Sequence, residues 1–297
     1  MIESLVATGA KITENAALDR LAYWRVGGCA DYLVEVSTVE QLQRVLAVAR
    51  QADEPITVLG NGSNSLIHDE GVRGIVLRLK GELSALRIDG YVANVGAGMM
   101  LVVLLSRLDR AGLVGAEAFA GVPGTVGGAV VMNAGTTLGE ASDFLISVDV
   151  VLATGELVTM TASDLKLSYR HSVLPEGSVV ARARLQLTSV GVADKMASRA
   201  KLIAARKATQ PLDLPSCGST FTNPSGDHAG RLIEAAGLKG RRIGGASIST
   251  KHANFIVNHG DATALDIHAL IELAMSEVKG QFGVELVPEV RYLGDWG

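Results

Sequence analysis

Apolar positions Val39, Leu42, Val45, Leu46 and Ala49 recur at helical spacing behind Ser37 and Glu40, a pair with capping-box form, and Pro55 closes the segment. Ile56–Leu59 is then a short apolar run, read as a buried strand that leads straight into Gly60-Asn61-Gly62-Ser63-Asn64. Further strands are predicted at Gly74–Leu77 and Tyr91–Val95, and a helix on Leu101, Leu104, Leu105 and Leu108 that stops at Gly112. From Ser147 the pattern changes. Val148–Leu152, a Thr154-Gly155 turn and Glu156–Met160 read as a hairpin, and Ser163 is placed to cap a short helix ahead of Tyr169-Arg170-His171-Ser172. Val179, Ala181, Ala183, Leu185 and Leu187 alternate with polar residues, as a half-exposed strand does.

A basic helix from about Asp194 to Lys207 connects to a second unit that begins at Gln210-Pro211. That unit is predicted to hold a helix at His228–Ala236 closed by Gly237, a strand at Asn254–Asn258, a long helix at Thr263–Lys279 and a last strand at Val284–Tyr292. The pattern is α+β in two main units, with the boundary near residues 195–210 and no internal repeat.

Composition narrows the function classes. A net charge of -4 without a basic block makes a poor nucleic-acid binder, since phosphate backbones require concentrated positive charge. Gly is frequent, 34 of 297 residues against a usual ~7%, so main chain is expected to approach something closely. Cys29 and Cys217 sit in no metal spacing, and the six histidines form no ligand pair, so a metal site is not expected. The N-terminus shows no signal-peptide pattern, and Ala111–Gly135 is broken by Glu117, Pro123 and several glycines. A soluble cytoplasmic protein without membrane insertion is expected.

Three segments carry candidate chemistry. Gly60-Asn61-Gly62-Ser63-Asn64 exposes successive N–H groups after a strand, which suits a diphosphate, although a plain tight turn needs the same residues. It matches neither the Walker nor the dinucleotide glycine pattern. Gly121-Val122-Pro123-Gly124-Thr125-Val126-Gly127-Gly128-Ala129, running on to Asn133 and Gly135, lets main chain lie against a planar ring; a packed loop is the bland alternative. Ser219, among small residues in Pro215–Pro224, could face a cleft, yet on residues alone it reads more readily as a turn residue, with no hydrolase elbow around it.

Together these segments resemble the UDP-N-acetylenolpyruvoylglucosamine reductase family. The resemblance runs through Arg25-Val26-Gly27-Gly28, the Gly60–Asn64 turn, Gly121–Gly135 and Tyr169-Arg170-x-Ser172. It continues through Gly218-Ser219-x-Phe221-x-Asn223-Pro224, Ala229-Gly230-x-Leu232-Ile233-Glu234, Lys251-His252-Ala253-Asn254 and Pro288-Glu289-Val290-Arg291, all in family order. It implies an FAD-binding half of the vanillyl-alcohol-oxidase (PCMH) type over residues 1–200, in two subdomains of about 1–75 and 76–200. A smaller α+β substrate domain would follow over 201–297. The short stretch between Arg170 and Ser219 is similar to the family's shorter subtype, which lacks a substrate-capping insertion.

The resemblance also implies roles. FAD would be bound without a covalent link by Gly60, Asn61, Gly62, Ser63, Asn64, Gly121, Pro123, Gly124, Thr125, Gly127, Gly128, Ala129 and Asn133. NADPH would be the co-substrate of a monomeric enzyme that makes UDP-N-acetylmuramate for peptidoglycan. Arg170, Ser219 and Glu289 would be catalytic, with Tyr169, Asn223, His252 and Arg291 holding the UDP-sugar substrate. A Tyr23-Trp24 pair precedes Arg25 where a Thr-containing stretch is more usual in the family. A flavoprotein oxidase on the same scaffold and a non-catalytic nucleotide-sugar binder are the competing classes. An NADPH titration separates the first and a colourless preparation would mark the second.

Overall fold

The computed structural model describes residues 1–297, which divide by contact into two units. The first comprises Met1–Glu14, Asp31–Asn61 and Gly74–Ala204; the second comprises Asn15–Ala30, Gly62–Arg73 and Ala205–Gly297. No helix is long and apolar enough to cross a membrane.

Strand Ile56–Val58 pairs in parallel with Val72–Leu79, Ile56 opposite Ile75 and Val58 opposite Leu77. The pair forms one side of a four-stranded sheet in the order Lys11–Ala17, Cys29–Val36, Val72–Leu79, Ile56–Val58. A five-stranded antiparallel sheet follows, ordered Leu157–Thr161, Leu145–Val151, Val179–Gln186, Val92–Gly96, Leu86–Asp89. Helix Val39–Gln51 turns Val39, Leu42, Val45, Leu46 and Ala49 into the core, the stripe expected from their spacing. Helix Leu101–Arg110 does the same with Leu101, Leu104 and Leu108, and Gly112 follows it at φ +67.

Three details differ from the expected pattern. The cap of helix Val39–Gln51 is Thr38, not Ser37: its side chain accepts from Gln41 N, while Gln41 Oε1 accepts from Ser37 N. The short helix after Ser163 does not form. Asp164 takes the Thr161 N–H and hydroxyl, and these local bonds compete with helical ones. The last strand covers only Arg291–Leu293, since Pro288 has no N–H to give a ladder and is held to Phe221 by a single bridge.

The second unit has a three-stranded antiparallel sheet, Arg242–Ile243, Ala246–Ile248 and Ile256–Asn258. Helices Ala229–Ala235 and Ala264–Phe282 pack with it over a core that includes Leu232, Ile233, Ile267, Leu270 and Ile271. Trp24 and Leu66, remote in sequence, are fully buried in the same core. The Trp24 indole donates to Ile256 O at 2.7 Å, and Asn258 Nδ2 donates back to Trp24 O at 2.7 Å. Strand Ser65–Ile67 pairs in parallel with Arg291–Leu293, Arg291 opposite Ser65. Asp69 then caps the long helix by accepting from Ala264 N and Leu265 N.

Candidate active site

In the first unit two of the glycine-rich segments meet. A Cβ on Gly60 would fall 2.8 Å from Thr125 Oγ1, so only glycine lets the turn lie against this threonine. Asn61 Nδ2 donates to Pro123 O at 3.1 Å. Thr125 caps helix Val126–Val131, and the first N–H groups of that helix are already taken: Val126 by Met99 O, Gly127 by Ala97 O, Gly128 by Thr125 Oγ1. The main-chain N–H groups of Gly60, Gly121, Gly124 and Thr125 donate to no protein acceptor. Ala129 is buried in the core, while Gly128 is exposed with nothing closer than 3.5 Å to an added Cβ.

Asn133 sits at φ +39 and is buried. Its Nδ2 donates to Glu140 Oε2 at 2.8 Å and Ser168 O at 3.0 Å, and its Oδ1 accepts from Ser142 N at 3.0 Å. The amide is thus spent on tying its own segment to the turn that carries Arg170. In that turn Ser168 and His171 exchange both main-chain bonds around Tyr169 and Arg170. Arg170 has φ +57, its guanidinium lies 4.9 Å from the Tyr169 ring centre, and Nη2 makes a long bond, 3.4 Å, to Gly135 O. An arginine held in the left-handed region costs energy that the bonds around this turn must sustain. Ser172 Oγ steadies the turn from the far side by donating to Val131 O at 2.8 Å.

The second unit holds the other candidates. Gly62 has φ +64, and a Cβ there would fall 2.0 Å from Leu21 O, so no side chain fits. The N–H groups of Gly62, Ser63 and Asn64 donate to no protein acceptor. Asn64 Nδ2 donates to Glu289 O at 2.9 Å, and Asn64 O accepts from Arg291 N at 2.9 Å. Glu289 N donates to Thr220 O at 2.8 Å, beside Ser219, whose hydroxyl has no partner in the protein. Asn254, which sequence reasoning passed over as a site residue, clamps the same segment. It accepts from Phe221 N at 2.9 Å, donates to Phe221 O at 2.8 Å, and its carbonyl accepts from Thr220 N.

Asn223 Oδ1 accepts from Ala229 N at 3.1 Å and starts helix Ala229–Ala235. His252 Nδ1 accepts from Asn254 N at 3.2 Å, and burial, with Lys239 next, holds its pKa below the usual imidazole value. It is therefore a neutral donor through Nε2. The Arg291 side chain is exposed. Cys217, buried against Gly62 O and Ser65 O, has its thiol pushed up to about 12 by desolvation, so it is inert as a nucleophile.

A dinucleotide diphosphate needs uncommitted N–H donors, best supplied by segments without acidic side chains of their own. The Gly60–Asn64 and Gly121–Ala129 segments supply such donors and contain no charged residue, so they fit the group. A family model described as FAD binding domain matches residues 30–161, and one described as UDP-N-acetylenolpyruvoylglucosamine reductase, C-terminal domain, matches residues 210–293. A glucose dehydrogenase, wild-type Phl p 4.0202, shares the fold at TM-score 0.52 and 17% identity, over 97% of this chain and 60% of that one. The fold is the α+β flavoprotein fold, and the protein is an FAD-dependent oxidoreductase.

The whole-chain relatives are more specific. The UDP-N-acetylenolpyruvoylglucosamine reductase of Myxococcus xanthus is 45% identical over 99% of this chain and 96% of its own length. That of Anaeromyxobacter sp. (strain Fw109-5) is 47% identical over 96% of this chain and 90% of its own. The crystal structure of the Thermus caldophilus reductase (MurB) superposes at TM-score 0.83 with 40% identity, covering 96% of this chain and 98% of that one. The chain belongs to the UDP-N-acetylenolpyruvoylglucosamine reductase family.

Proposed function

We propose that the protein reduces UDP-N-acetylenolpyruvoylglucosamine to UDP-N-acetylmuramate with NADPH, through non-covalently bound FAD, as a cytoplasmic monomer in peptidoglycan precursor synthesis. The observation that carries this reading is the pairing of Glu289 N with Thr220 O next to the unpartnered Ser219 hydroxyl. It joins two segments that the family likeness alone marks as catalytic.

Bound FAD would supply the chemistry of taking a hydride from NADPH and giving it to the terminal carbon of the enolpyruvyl double bond. The main-chain N–H groups of Gly60, Gly121, Gly124, Thr125, Gly62, Ser63 and Asn64 would hold its diphosphate and ring edge. Asn61, Pro123, Gly127, Gly128 and Ala129 shape the same segments, and Asn133 acts as their internal tie. Residues 201–297 would form the substrate part. Arg170 balances the negative charge that grows on the substrate carboxylate, because a guanidinium keeps its proton and engages two oxygens at once. Glu289 shares a proton with that charge, and Ser219 delivers a proton to the carbon next to the carboxylate. Tyr169, Asn223, His252 and Arg291 grip the sugar nucleotide; Asn223 Nδ2 and the neutral His252 Nε2–H are donors available for it.

The purified protein is expected to be yellow, to bleach with NADPH in the absence of oxygen, and to recover its colour with the enolpyruvyl sugar nucleotide. Ser219→Ala should leave bleaching near the wild-type rate and slow reoxidation by about 10²-fold or more. Equal slowing of both half-reactions would remove Ser219 as proton donor.

A further inference from the structure

We infer that Asn64 is a positioning residue for Glu289, using its side chain to set the carboxylate's backbone while its main-chain N–H stays available to the cofactor. The inference rests on the proposed role of Glu289. Residue types alone assign Asn64 to the diphosphate turn, as one more amide donor. The geometry gives its two ends different work. The side-chain Nδ2 is committed to Glu289 O at 2.9 Å, and the carbonyl is committed to Arg291 N at 2.9 Å. These two bonds close a bracket around Val290, which is buried.

With Val290 anchored in the core, the chain on either side of it has little freedom, and the bracket removes what remains. On its other face Glu289 donates to Thr220 O, so its peptide groups are held from two directions. Thr220 in turn is fixed through its own N–H by Asn254 O and is followed by Phe221, which Asn254 clamps at both main-chain groups. Ser219 and Glu289 therefore belong to one hydrogen-bonded frame, of which Asn64 is the member that also belongs to the Gly62–Asn64 turn. The Asn64 N–H donates to no protein acceptor. A ligand that engages this N–H acts on the same residue that holds Glu289. Asn suits the position because its side chain is short and ends in a donor; Asp would turn an oxygen toward the Glu289 carbonyl.

The test uses holoenzymes of wild type, Asn64→Ala, Asn64→Asp, Glu289→Gln and the double variant Asn64→Ala/Glu289→Gln. Three quantities are read: FAD affinity of the stripped protein by flavin fluorescence, the bleaching rate with NADPH, and the reoxidation rate with the enolpyruvyl sugar nucleotide across pH. Asn64→Ala and Asn64→Asp should each slow reoxidation at least ten-fold more than bleaching and shift its pH profile, with FAD affinity within about three-fold of wild type. The double variant should reoxidise no more slowly than Glu289→Gln alone, since Asn64 acts through Glu289. If Asn64→Ala slows reoxidation by the same factor in both backgrounds, or if excess FAD cures its defect, the positioning role is wrong. A wild-type pH profile and rate in Asn64→Asp overturns it as well, and that variant keeps the test open should Asn64→Ala fold poorly. A Glu289→Gln enzyme that reoxidises normally removes the underlying reading of Glu289 instead, and shows it without any change at Asn64.

Discussion

Gly127 and Gly128 are adjacent, yet the structure gives them different reasons to be glycine. A Cβ on Gly127 would meet the Ala97 Cβ at 3.0 Å and the Ala97 carbonyl oxygen at 3.2 Å, so a side chain there would have to push its neighbour aside within the first unit. Gly128 is exposed, lies in helix Val126–Val131 and would place an added methyl no closer than 3.5 Å to its nearest neighbour, Thr125 Oγ1. In the protein alone, alanine is the better helix residue by about 0.5–1 kcal/mol. Gly128→Ala is therefore expected to raise the melting temperature of the FAD-free protein slightly while weakening FAD binding, if this face lies against the ring. Unchanged FAD affinity in a flavin titration would take Gly128 out of the cofactor set. A second residue-scale effect comes from His252. Its pKa is depressed from 6.5 by burial first and Lys239 second, so the unfolded chain binds a proton more readily than the folded one. The stability contributed by the neutral imidazole is present above about pH 6.5 and is lost as pH falls below it through the folded value. His252→Asn should flatten the fall in melting temperature between about pH 7.5 and pH 5.5; parallel curves would place the titration elsewhere.

At the scale of elements, what the amino-acid pattern revealed depended on how far each signal is local. Helices Val39–Gln51, Leu101–Arg110 and Ala264–Phe282 were legible because their apolar stripes and end signals lie within the segment itself. Strand Lys11–Ala17 was not, since Ala16 is its one buried residue and no alternation marks it. The Gly60–Asn64 and Gly121–Asn133 segments were legible as candidate ligand loops, but not the internal work of Asn64 and Asn133, whose partners Glu289 and Ser168 are distant in the chain. Trp24 shows the same limit. It reads as a departure from the family pattern, whereas in the fold its indole joins the first strand-flanking segment of the second unit to Ile256 O while Asn258 holds its carbonyl. Trp24→Phe keeps an aromatic ring in the core but deletes the indole donor. It should cost about 2–3 kcal/mol, from a lost buried bond and a residual void. A denaturation midpoint indistinguishable from wild type would show that burial alone holds this segment.

For the molecule as a whole, contact and chain order disagree in a way that has consequences. Residues 201–297, proposed as the substrate part, supply most of the second unit, and Asn15–Ala30 and Gly62–Arg73 complete it. Those two segments bring Trp24, Val26 and Leu66, all buried, into the core made with Phe221, Leu232 and Ile271. They also provide strand Ser65–Ile67, the parallel partner of Arg291–Leu293, and the Asp69 carboxylate that caps helix Ala264–Phe282. A chain of residues 205–297 would expose the apolar surfaces that cover Trp24 and Leu66, leave the Arg291–Leu293 strand without a partner and remove the Asp69 cap from its longest helix. Burial of a single large side chain is worth about 1.5–3 kcal/mol, and domains are stable by only about 5–15 kcal/mol. Loss of two such residues together with a strand pairing should consume most of that margin. The isolated 205–297 fragment is thus expected to show helical far-ultraviolet circular dichroism without a cooperative melt. Adding Asn15–Ala30 and Gly62–Arg73 through flexible linkers should restore a sharp transition. A fragment of 205–297 that melts cooperatively by itself would show that the earlier segments decorate a finished core rather than build it.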